Sequence, residues 1–132
     1  MKKTVHVAVG IIVDDDNHIL IAKRHQGAHQ GGLWEFPGGK VEASESVFEA
    51  LVREFLEEVG IVIKEADAFM EICHDYGDKV VKLEVLLCKQ FDGVAQGMEG
   101  QELKWVTLSD INNYDFPKAN EAIINKLLSS HD

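Results

Sequence analysis

The sequence is poor in cysteine, and this scarcity excludes two classes of protein. Only two cysteines occur among 132 residues, Cys73 and Cys88, and they form no CxxC pair. A disulfide framework and a cysteine-rich zinc module are therefore excluded. Both cysteines lie in apolar, strand-like runs, so we expect reduced side chains packed in the core.

Long apolar runs are also missing. No stretch approaches the roughly 18 consecutive apolar residues of a membrane span. The opening Met1-Lys2-Lys3 leads into an alternating strand and not into the apolar segment of a secretion signal. We expect no membrane partner and a cytoplasmic protein.

Positive charge is scarce as well. Lys and Arg number 13 against 23 Asp and Glu, which gives a formal net charge of -10. A nucleic-acid polymer is disfavoured as a partner, because phosphate backbones require a basic surface. A small phosphate substrate chelated by metal remains compatible, since bound dications would reverse the local sign.

The composition otherwise fits one compact enzyme. The length and the 45% hydrophobic content suffice for a single domain over residues 1–132, with no linker, repeat or low-complexity tract. Nothing in the sequence demands a dimer, so we expect a monomer.

The order of the elements predicts an α/β fold, with a mixed sheet between helices. The acidic turn at 14–17 lacks the spacing of a calcium loop and is expected to be solvated. Gly10 marks either a bulge or room for a base.

The predicted strands are 4–13 and 19–23 as a hairpin, 68–74, 80–91 as a largely buried strand, and 102–106. A final helix is predicted at 118–128.

Another helix is predicted at residues 46–59. Ser46 followed by Glu49 forms a capping box, and Gly60 supplies the stop. The apolar residues that recur at helical spacing, and should face the core, are Phe48, Leu51, Val52, Phe55 and Val59.

The opposite face of this helix is crowded with carboxylates. Glu54, Glu57 and Glu58 fall within one turn, and like charges at that spacing destabilise a helix by about 0.2 to 0.5 kcal/mol per pair. Arg53 could pair with Glu45 or with its own neighbours. Bound Mg²⁺ or Mn²⁺ would compensate for the repulsion, since hard cations take oxygen ligands. A solvated acidic face is the alternative.

The wider motif favours the metal. Residues 39–61 match the pattern G-x5-E-x7-R-E-U-x-E-E-x-G-U, where U is apolar, at Gly39, Glu45, Arg53, Glu54, Phe55, Glu57, Glu58, Gly60 and Ile61. This segment resembles the Nudix box, and the chain is identified as a member of the Nudix hydrolase family. The resemblance implies the α/β/α Nudix sandwich, a divalent metal, and cleavage of nucleoside diphosphates linked to another moiety.

Segments outside the box resemble the MutT branch of that family, which removes oxidised guanine nucleotides. They are residues 7–12, 33–40, 99–101 with Trp105, and 115–121. By this resemblance Glu54 and Glu99 are both candidates for the general base, with Glu54 favoured, and Arg53 joins the catalytic group. The implied metal ligands are the backbone carbonyl of Gly38 and the side chains of Glu54, Glu57, Glu58 and Glu99.

The same resemblance assigns the contacts to substrate. Base recognition would centre on Asn120, although from spacing alone this residue could start a helix. Lys79 stands where arginine is expected, in the turn that closes over the base. The loop at 25–33 is a candidate lid. The implied contacts are Arg24 and Lys40 to phosphates, His29 from the loop, the backbone of Glu35, Phe36, Pro37 and Gly38 around the base, and Lys79 and Asn120.

Two aromatic residues leave an alternative open. Trp34 and Phe36 could pack against a base, but aromatics in an alternating apolar segment are more often part of a core.

The resemblance implies hydrolysis of 8-oxo-dGTP, and of 8-oxo-GTP, to the monophosphate and pyrophosphate by attack of water at the β-phosphorus. Sanitation of the nucleotide pool, with a role in DNA replication and repair, would follow. A pyrophosphatase for CTP or other nucleoside triphosphates is the alternative, since residues 29–36 also resemble that branch. A non-catalytic nucleotide-sensing module would be expected to lose carboxylates of the box, and none is lost here.

Overall fold

Helix α1 has the ends that the sequence predicts. In the computed structural model, which describes residues 2–24 and 32–129, α1 spans Val47–Glu58. The Ser46 hydroxyl accepts a hydrogen bond from the Glu49 backbone N–H at 3.1 Å, and the Glu49 carboxylate accepts one from the Ser46 N–H at 2.8 Å. Gly60 follows the helix at φ +76°, a torsion that a residue without Cβ adopts readily. The capping box and the glycine stop are both confirmed.

The strands form two sheets, which together with the helices make an α/β fold as predicted. The four-stranded sheet has the order β4-β1-β6-β5, with β1 parallel to β6, and the antiparallel second sheet has the order β3-β2-β7. In the part of the chain described, no helix is long and apolar enough to cross a bilayer. The strands are β1 (Lys3–Ile12), β2 (Ile19–Lys23), β3 (Trp34–Glu35), β4 (Gly38–Lys40), β5 (Val62–Asp75), β6 (Lys79–Asp92) and β7 (Leu103–Val106).

Strand β2 is where predicted, but the prediction that it forms a hairpin with β1 is wrong. A single bridge, from Val13 to Ile19, joins the two segments. β2 instead pairs with β3 on one edge and β7 on the other. Residues 19–22 are buried throughout, as expected for a strand with neighbours on both edges.

Strands β5 and β6 are longer and more exposed than the sequence suggests. β5 begins at Val62, before the predicted start at 68, and its first residues carry charges that obscure the alternation. Cys73 lies opposite Lys82 of β6 and is exposed, so its prediction as a core residue is wrong, whereas Cys88 is buried. β6 is fully buried only at Val85, Leu86 and Cys88, and not over most of its length.

The C-terminal helix is split at its beginning. Residues Lys118–Asn120 form a 3-10 turn, and α2 then spans Glu121–Ser129. The turn begins after Pro117, whose extended ψ of 150° delays the α-helix. The predicted helix at 118–128 therefore starts as a 3-10 turn, and the buried residues of α2 are Ile123, Ile124 and Leu127.

The two helices lie on opposite faces of the sheet, which confirms the α/β/α arrangement. On one face, Ala8 and Ile12 of β1 pack in a core with Leu51 and Phe55 of α1. On the other face, Val9 and Ile11 pack in a core that includes the buried residues of α2. Phe48, near the start of α1, is 38% exposed, so this position does not join the buried stripe.

Gly10 serves neither of its two predicted purposes. It keeps the regular parallel register opposite Leu86, so it marks no bulge. A Cβ at this position would lie 2.6 Å from a ring carbon of Phe55, so the glycine leaves room for α1 and not for a base. The close packing of α1 on β1 depends on this absent side chain.

We expect Gly10→Ala to lower the free energy of unfolding by about 1 to 3 kcal/mol, the range for an overpacked core. Urea unfolding would measure the loss. The same substitution in a Phe55→Leu background should cost less, because the smaller side chain releases the space. Equal costs in both backgrounds would contradict the assigned contact.

Candidate active site

Arg53 connects α1 to the loop that precedes it. Its Nε donates to Glu45 Oε2 at 2.7 Å and its Nη2 to Glu45 Oε1 at 2.9 Å. Nη2 also donates to the Lys40 carbonyl at 3.1 Å, and Nη1 donates to Glu54 Oε1 at 2.8 Å. Arg53 therefore pairs with Glu45 and with its helical neighbour together, and it orients the Glu54 carboxylate.

The Glu45 carboxyl is held in its charged form. Hydrogen bonds from Arg53, and then from the Glu42 backbone N–H, lower its pKa from 4.5 to about 2. Because the pKa of Glu45 is lower in the folded state, the unfolded state binds more protons between pH 2 and pH 4.5. The pair therefore contributes stability above pH 4.5 that is lost as the pH falls toward 2.

Glu45→Gln should remove that pH dependence. We expect the unfolding midpoint of the wild type to exceed that of the variant near neutral pH, and the difference to shrink as the pH falls from 4.5 toward 2. Urea unfolding across this range measures it, with Glu65→Gln, an exposed site on β5, as the matched control. A difference that is constant with pH would contradict the pairing.

Glu54 and Glu58 form the centre of the carboxylate cluster. Burial is the largest cause that raises the pKa of Glu58, to about 9, followed by the hydrogen bond with Glu54 and the charges of Glu54, Glu99 and Glu35. Two adjacent carboxyls cannot both ionise easily in a shielded place, which is why the pKa of Glu58 is raised. This is the repulsion that the sequence predicted.

Glu57 stands apart from that pair. Its side chain is 58% exposed and lies 3.7 Å from Arg53 Nη1. Within the described ranges, one group of three side chains has its possible metal-ligand atoms within 4.8 Å of one another. That group is Asp14, Asp16 and His18, and it does not include the glutamates of α1. Glu57 thus shares the helical turn of Glu54 and Glu58 but is its exposed member, since Glu54 and Glu58 are partly buried.

The Asp14 group is the turn that the sequence predicted. Asp14 Oδ1 accepts hydrogen bonds from the backbone N–H groups of Asp16 at 2.9 Å and His18 at 2.8 Å. One carboxylate oxygen is thus occupied by the turn itself.

Strand β4 brings the backbone directly against the cluster. A Cβ on Gly39 would lie 2.3 to 2.6 Å from the carboxylate atoms of Glu54, and a Cβ on Gly38 would lie 2.0 Å from the Ala8 carbonyl oxygen. Both glycines are needed for close approach. The close approach of the β4 backbone to the Glu54 carboxylate, with the shielded Glu58 carboxyl beside it, fits a site for a hard divalent cation, which carboxylate and backbone oxygens bind.

Gly39→Ala should strongly reduce the turnover rate while changing the free energy of unfolding little. The added Cβ displaces the end of a flexible Glu54 side chain, and a displacement of about 1 Å at a reacting centre can cost roughly 100-fold in rate. Turnover and urea unfolding of the same preparation would be compared. Gly38→Ala is the matched contrast, because its Cβ meets backbone and should destabilise the fold. Full activity in Gly39→Ala would contradict the assigned contact.

A cavity of about 800 Å³ lies beside β4. This volume is in the range of pockets for small molecules. The polar and backbone residues that line it include Arg24, Glu35, Phe36, Gly38, Gly39, Lys40, Tyr76, Asp78, Lys79 and Asn120. The cavity thus gathers seven of the residues assigned to substrate, and β4, which lines it, also approaches the Glu54 carboxylate of α1.

One of the assigned residues does not line the cavity. Pro37 is fully buried, and its carbonyl accepts a hydrogen bond from the Gly10 N–H at 2.9 Å. His29 and most of the candidate lid at 25–33 lie outside the described residues.

The aromatic pair belongs to the core. Trp34 packs edge-on against Tyr114 with ring centroids 5.4 Å apart, and Phe36 stacks on Phe116 at 5.2 Å. Both side chains are largely buried, which confirms the core alternative. Only the backbone of Phe36 remains a candidate contact to a base.

Glu35 has a role that the sequence did not reveal. Its carboxylate accepts a hydrogen bond from Arg24 Nη1 at 2.6 Å on the cavity wall, and its charge also reaches Glu58. Glu35 reaches Arg24 because Ala22 of β2 pairs with Glu35 of β3, a strand of only two residues. Such a strand is too short to give a periodic pattern.

Tyr76 is a second missed residue. It lines the cavity from the turn between β5 and β6, 43% exposed, with its ring 4.4 Å from that of His74. An aromatic side chain in a Gly-containing turn is a signal that could have identified it.

Asn120 lies at the end of the 3-10 turn, on the cavity wall. Its backbone N–H donates to the Pro117 carbonyl at 2.9 Å. Among the residues that the structure describes, its amide side chain has no hydrogen-bond partner. It is therefore available to a ligand.

Glu99 reaches the cluster from a loop. Residues 93–102 pack on the C-terminal end of α1, where the Met98 N–H donates to the Glu58 carbonyl at 3.0 Å and the Gln96 N–H donates to the Val59 carbonyl at 2.8 Å. Glu99 itself is exposed, and its charge acts on Glu58.

Comparison with known proteins agrees with this geometry. The sequence profile of the NUDIX domain family matches residues 8–126. The chain is similar to the 8-oxo-dGTP diphosphatase of Escherichia coli (strain K12), with 41% identity over 127 residues that cover 96% of this chain and 98% of that protein. A solved structure from work on MutT of Aliivibrio salmonicida and Vibrio cholerae superposes with a TM-score of 0.88 and 41% identity, covering 97% of this chain and 99% of the other.

A further relative has a different named substrate. The CTP pyrophosphohydrolase of Escherichia coli (strain K12) is 32% identical over 121 residues, which cover 92% of this chain and 90% of that protein. The family match spans most of the chain and includes α1 with its carboxylates. This chain therefore belongs to the NUDIX domain family.

Proposed function

We propose that this protein hydrolyses 8-oxo-dGTP, and 8-oxo-GTP, to the nucleoside monophosphate and pyrophosphate. The observation that carries the proposal is the position of β4, whose residues line the cavity and whose backbone lies against the Glu54 carboxylate. A nucleotide with its base in the cavity would extend its phosphates past Lys40 toward the carboxylates. The 41% identity to an 8-oxo-dGTP diphosphatase supports this substrate.

Base recognition centres on Asn120. An amide offers one donor group and one acceptor, which suits an oxopurine edge better than any charged side chain. The backbone of Glu35, Phe36 and Gly38 borders the same cavity, and Lys79, the first residue of β6, also lines it.

The phosphates are neutralised by cations of the cavity wall. Lys40 and Arg24 both line it, and Arg24 is already oriented by its bond to Glu35. A triphosphate would compete with Glu35 for the guanidinium. His29, from the loop at 25–33, is proposed as a further contact.

The metal site is formed by oxygen ligands from α1 and its surroundings. We assign the Gly38 carbonyl and the carboxylates of Glu54, Glu57, Glu58 and Glu99 to Mg²⁺, with Mn²⁺ as a substitute. When bound, the cation supplies charge neutralisation for the transferring phosphoryl group and a template for its orientation. Because the pKa of Glu58 is raised in the metal-free protein, a proton must leave this carboxyl before it can act as a ligand.

Proton transfer is assigned to Glu54, with Glu99 as the other candidate. Arg53 Nη1 fixes one oxygen of Glu54, so its carboxylate has a defined direction. Arg53 itself acts by positioning, because each of its guanidinium nitrogens donates within the protein. The attacking water transfers a proton to the base and its oxygen to the β-phosphorus, and the monophosphate departs.

Hydrolysis in ¹⁸O-labelled water tests that course. Attack at the β-phosphorus places the label in pyrophosphate, and mass spectrometry of the two products would locate it. A label in the nucleoside monophosphate would mean attack at the α-phosphorus and would contradict the proposed step.

One alternative substrate has support of its own. The similarity to a CTP pyrophosphohydrolase, together with residues 29–36, favours a pyrophosphatase for CTP or another nucleoside triphosphate. A non-catalytic nucleotide-sensing module is disfavoured, because the carboxylates of the box are all retained.

In the cell, we propose a monomeric single domain over residues 1–132 that acts in the cytoplasm on free nucleotides. Removal of oxidised precursors would protect DNA replication from mutation and would complement DNA repair. The net charge of -10 disfavours a nucleic-acid polymer as a direct partner.

A further inference from the structure

The loop that carries Glu99 is tied to α1 by one side chain. Gln101 Nε2 donates a hydrogen bond to the Glu58 carbonyl at 2.9 Å. Gln101 Oε1 accepts one from the Glu99 backbone N–H, also at 2.9 Å. A single carboxamide therefore connects the backbone of two proposed metal ligands that lie far apart in the sequence.

The surrounding loop supports this bridge. The Gly100 N–H donates to the Gly97 carbonyl at 3.0 Å, so residues 97–100 form a tight turn. A Cβ on Gly97 would lie 2.0 Å from the Gln101 carbonyl oxygen and 3.2 Å from its Oε1. The turn and the absent side chain at Gly97 together bring Gln101 over the residues that it bridges.

Capping of α1 alone does not require this arrangement. The Met98 N–H already donates to the Glu58 carbonyl at 3.0 Å, so that acceptor has a partner without Gln101. The second bond, to the Glu99 N–H, satisfies no group of the helix. It fixes instead the backbone from which the exposed Glu99 side chain projects.

We propose that Gln101 is a positioning residue for Glu99, whose carboxylate it keeps beside Glu58 at the metal site. The inference rests on the proposed function, in which Glu99 is a ligand. Without the bridge, the loop would retain its cap on α1 but would hold Glu99 less firmly, and the metal would bind more weakly.

A double-substitution cycle with Mn²⁺ tests the proposal. Binding of Mn²⁺ to the free protein, followed by electron paramagnetic resonance, should weaken about tenfold in Gln101→Ala and at least as much in Glu99→Gln. The double variant should bind no more weakly than Glu99→Gln, because Gln101 acts through Glu99. Gln96→Ala is the matched control, since it removes an exposed amide from the same loop.

Amide hydrogen exchange of the metal-free protein provides an independent readout. Gln101→Ala should speed exchange of the Glu99 N–H by about fivefold, as loss of one hydrogen bond would. Unchanged exchange, or Mn²⁺ effects that add in the double variant, would overturn the positioning role. If exchange accelerates but Glu99→Gln leaves Mn²⁺ binding unchanged, the ligand role of Glu99 in the proposed function fails, and the inference fails with it.

Discussion

Glu57→Gln is expected to reduce kcat/KM for 8-oxo-dGTP by about 1,000-fold, which corresponds to about 4 kcal/mol of transition-state stabilisation. The amide keeps the size of the side chain but is a poor ligand for a hard cation. Steady-state kinetics at saturating Mg²⁺ would measure the loss, and Mn²⁺ affinity should fall with it.

The fold should tolerate this change. Glu57 is 58% exposed and lies 3.7 Å from Arg53 Nη1, whose stronger partners are Glu45 and Glu54. Removing one charge also relieves repulsion within the turn, so the metal-free protein should be equally stable or slightly more stable. Glu65→Gln on β5 is the matched control. Turnover near the wild-type value would contradict the assignment of Glu57 as a metal ligand.

Asn120→Ala is expected to lower the preference for 8-oxo-dGTP over dGTP by about 1 to 3 kcal/mol, or roughly 5- to 150-fold. The amide has no hydrogen-bond partner among the described residues and lines the cavity, so a bound base would supply its partners. Loss of the amide leaves polar groups of the base unpaired in a shielded place. The ratio of the two kcat/KM values measures the effect.

The structural alternative for Asn120 predicts a different result. A residue that only starts a helix would, on truncation, lower the free energy of unfolding and leave the ratio unchanged. Asn112→Ala, at an exposed position of the 3-10 turn Ile111–Asn113, controls for loss of an amide from such a turn. Unchanged discrimination with normal stability would place base recognition elsewhere in the cavity.

The sequence predicted features that depend on local patterns. The capping box of Ser46 and Glu49 and the glycine stop are short-range signals, and helix α1 follows them within a residue. The repulsion between Glu54 and Glu58 could also be predicted, because a spacing of four residues places both on one helical face.

Features that depend on distant contacts could not be predicted in the same way. β3 and β4 have two and three residues, too few for a period, and the cavity forms around them. The pairing of Arg24 with Glu35 needs β2 and β3 side by side, and Gly10 is explained only by the ring of Phe55 on another element. Cys73 is exposed opposite Lys82 of β6, a pairing that the local sequence does not reveal.

The assignment of individual site residues came from resemblance and not from these patterns. Asn120 and Glu99 lie on short turns whose local sequence gives no chemical signal. Their roles remain proposals, supported by the position of Asn120 on the cavity wall and by the charge of Glu99 near Glu58.

The most direct test of the proposed activity is kcat/KM with Mg²⁺ for 8-oxo-dGTP, dGTP and CTP, measured from the nucleoside monophosphate and pyrophosphate released. A strong preference for the oxidised nucleotide is the predicted result. Comparable rates on dGTP or CTP would contradict the proposed specificity while leaving pyrophosphohydrolase chemistry in place. Absence of pyrophosphate release from all three would contradict the proposed activity itself.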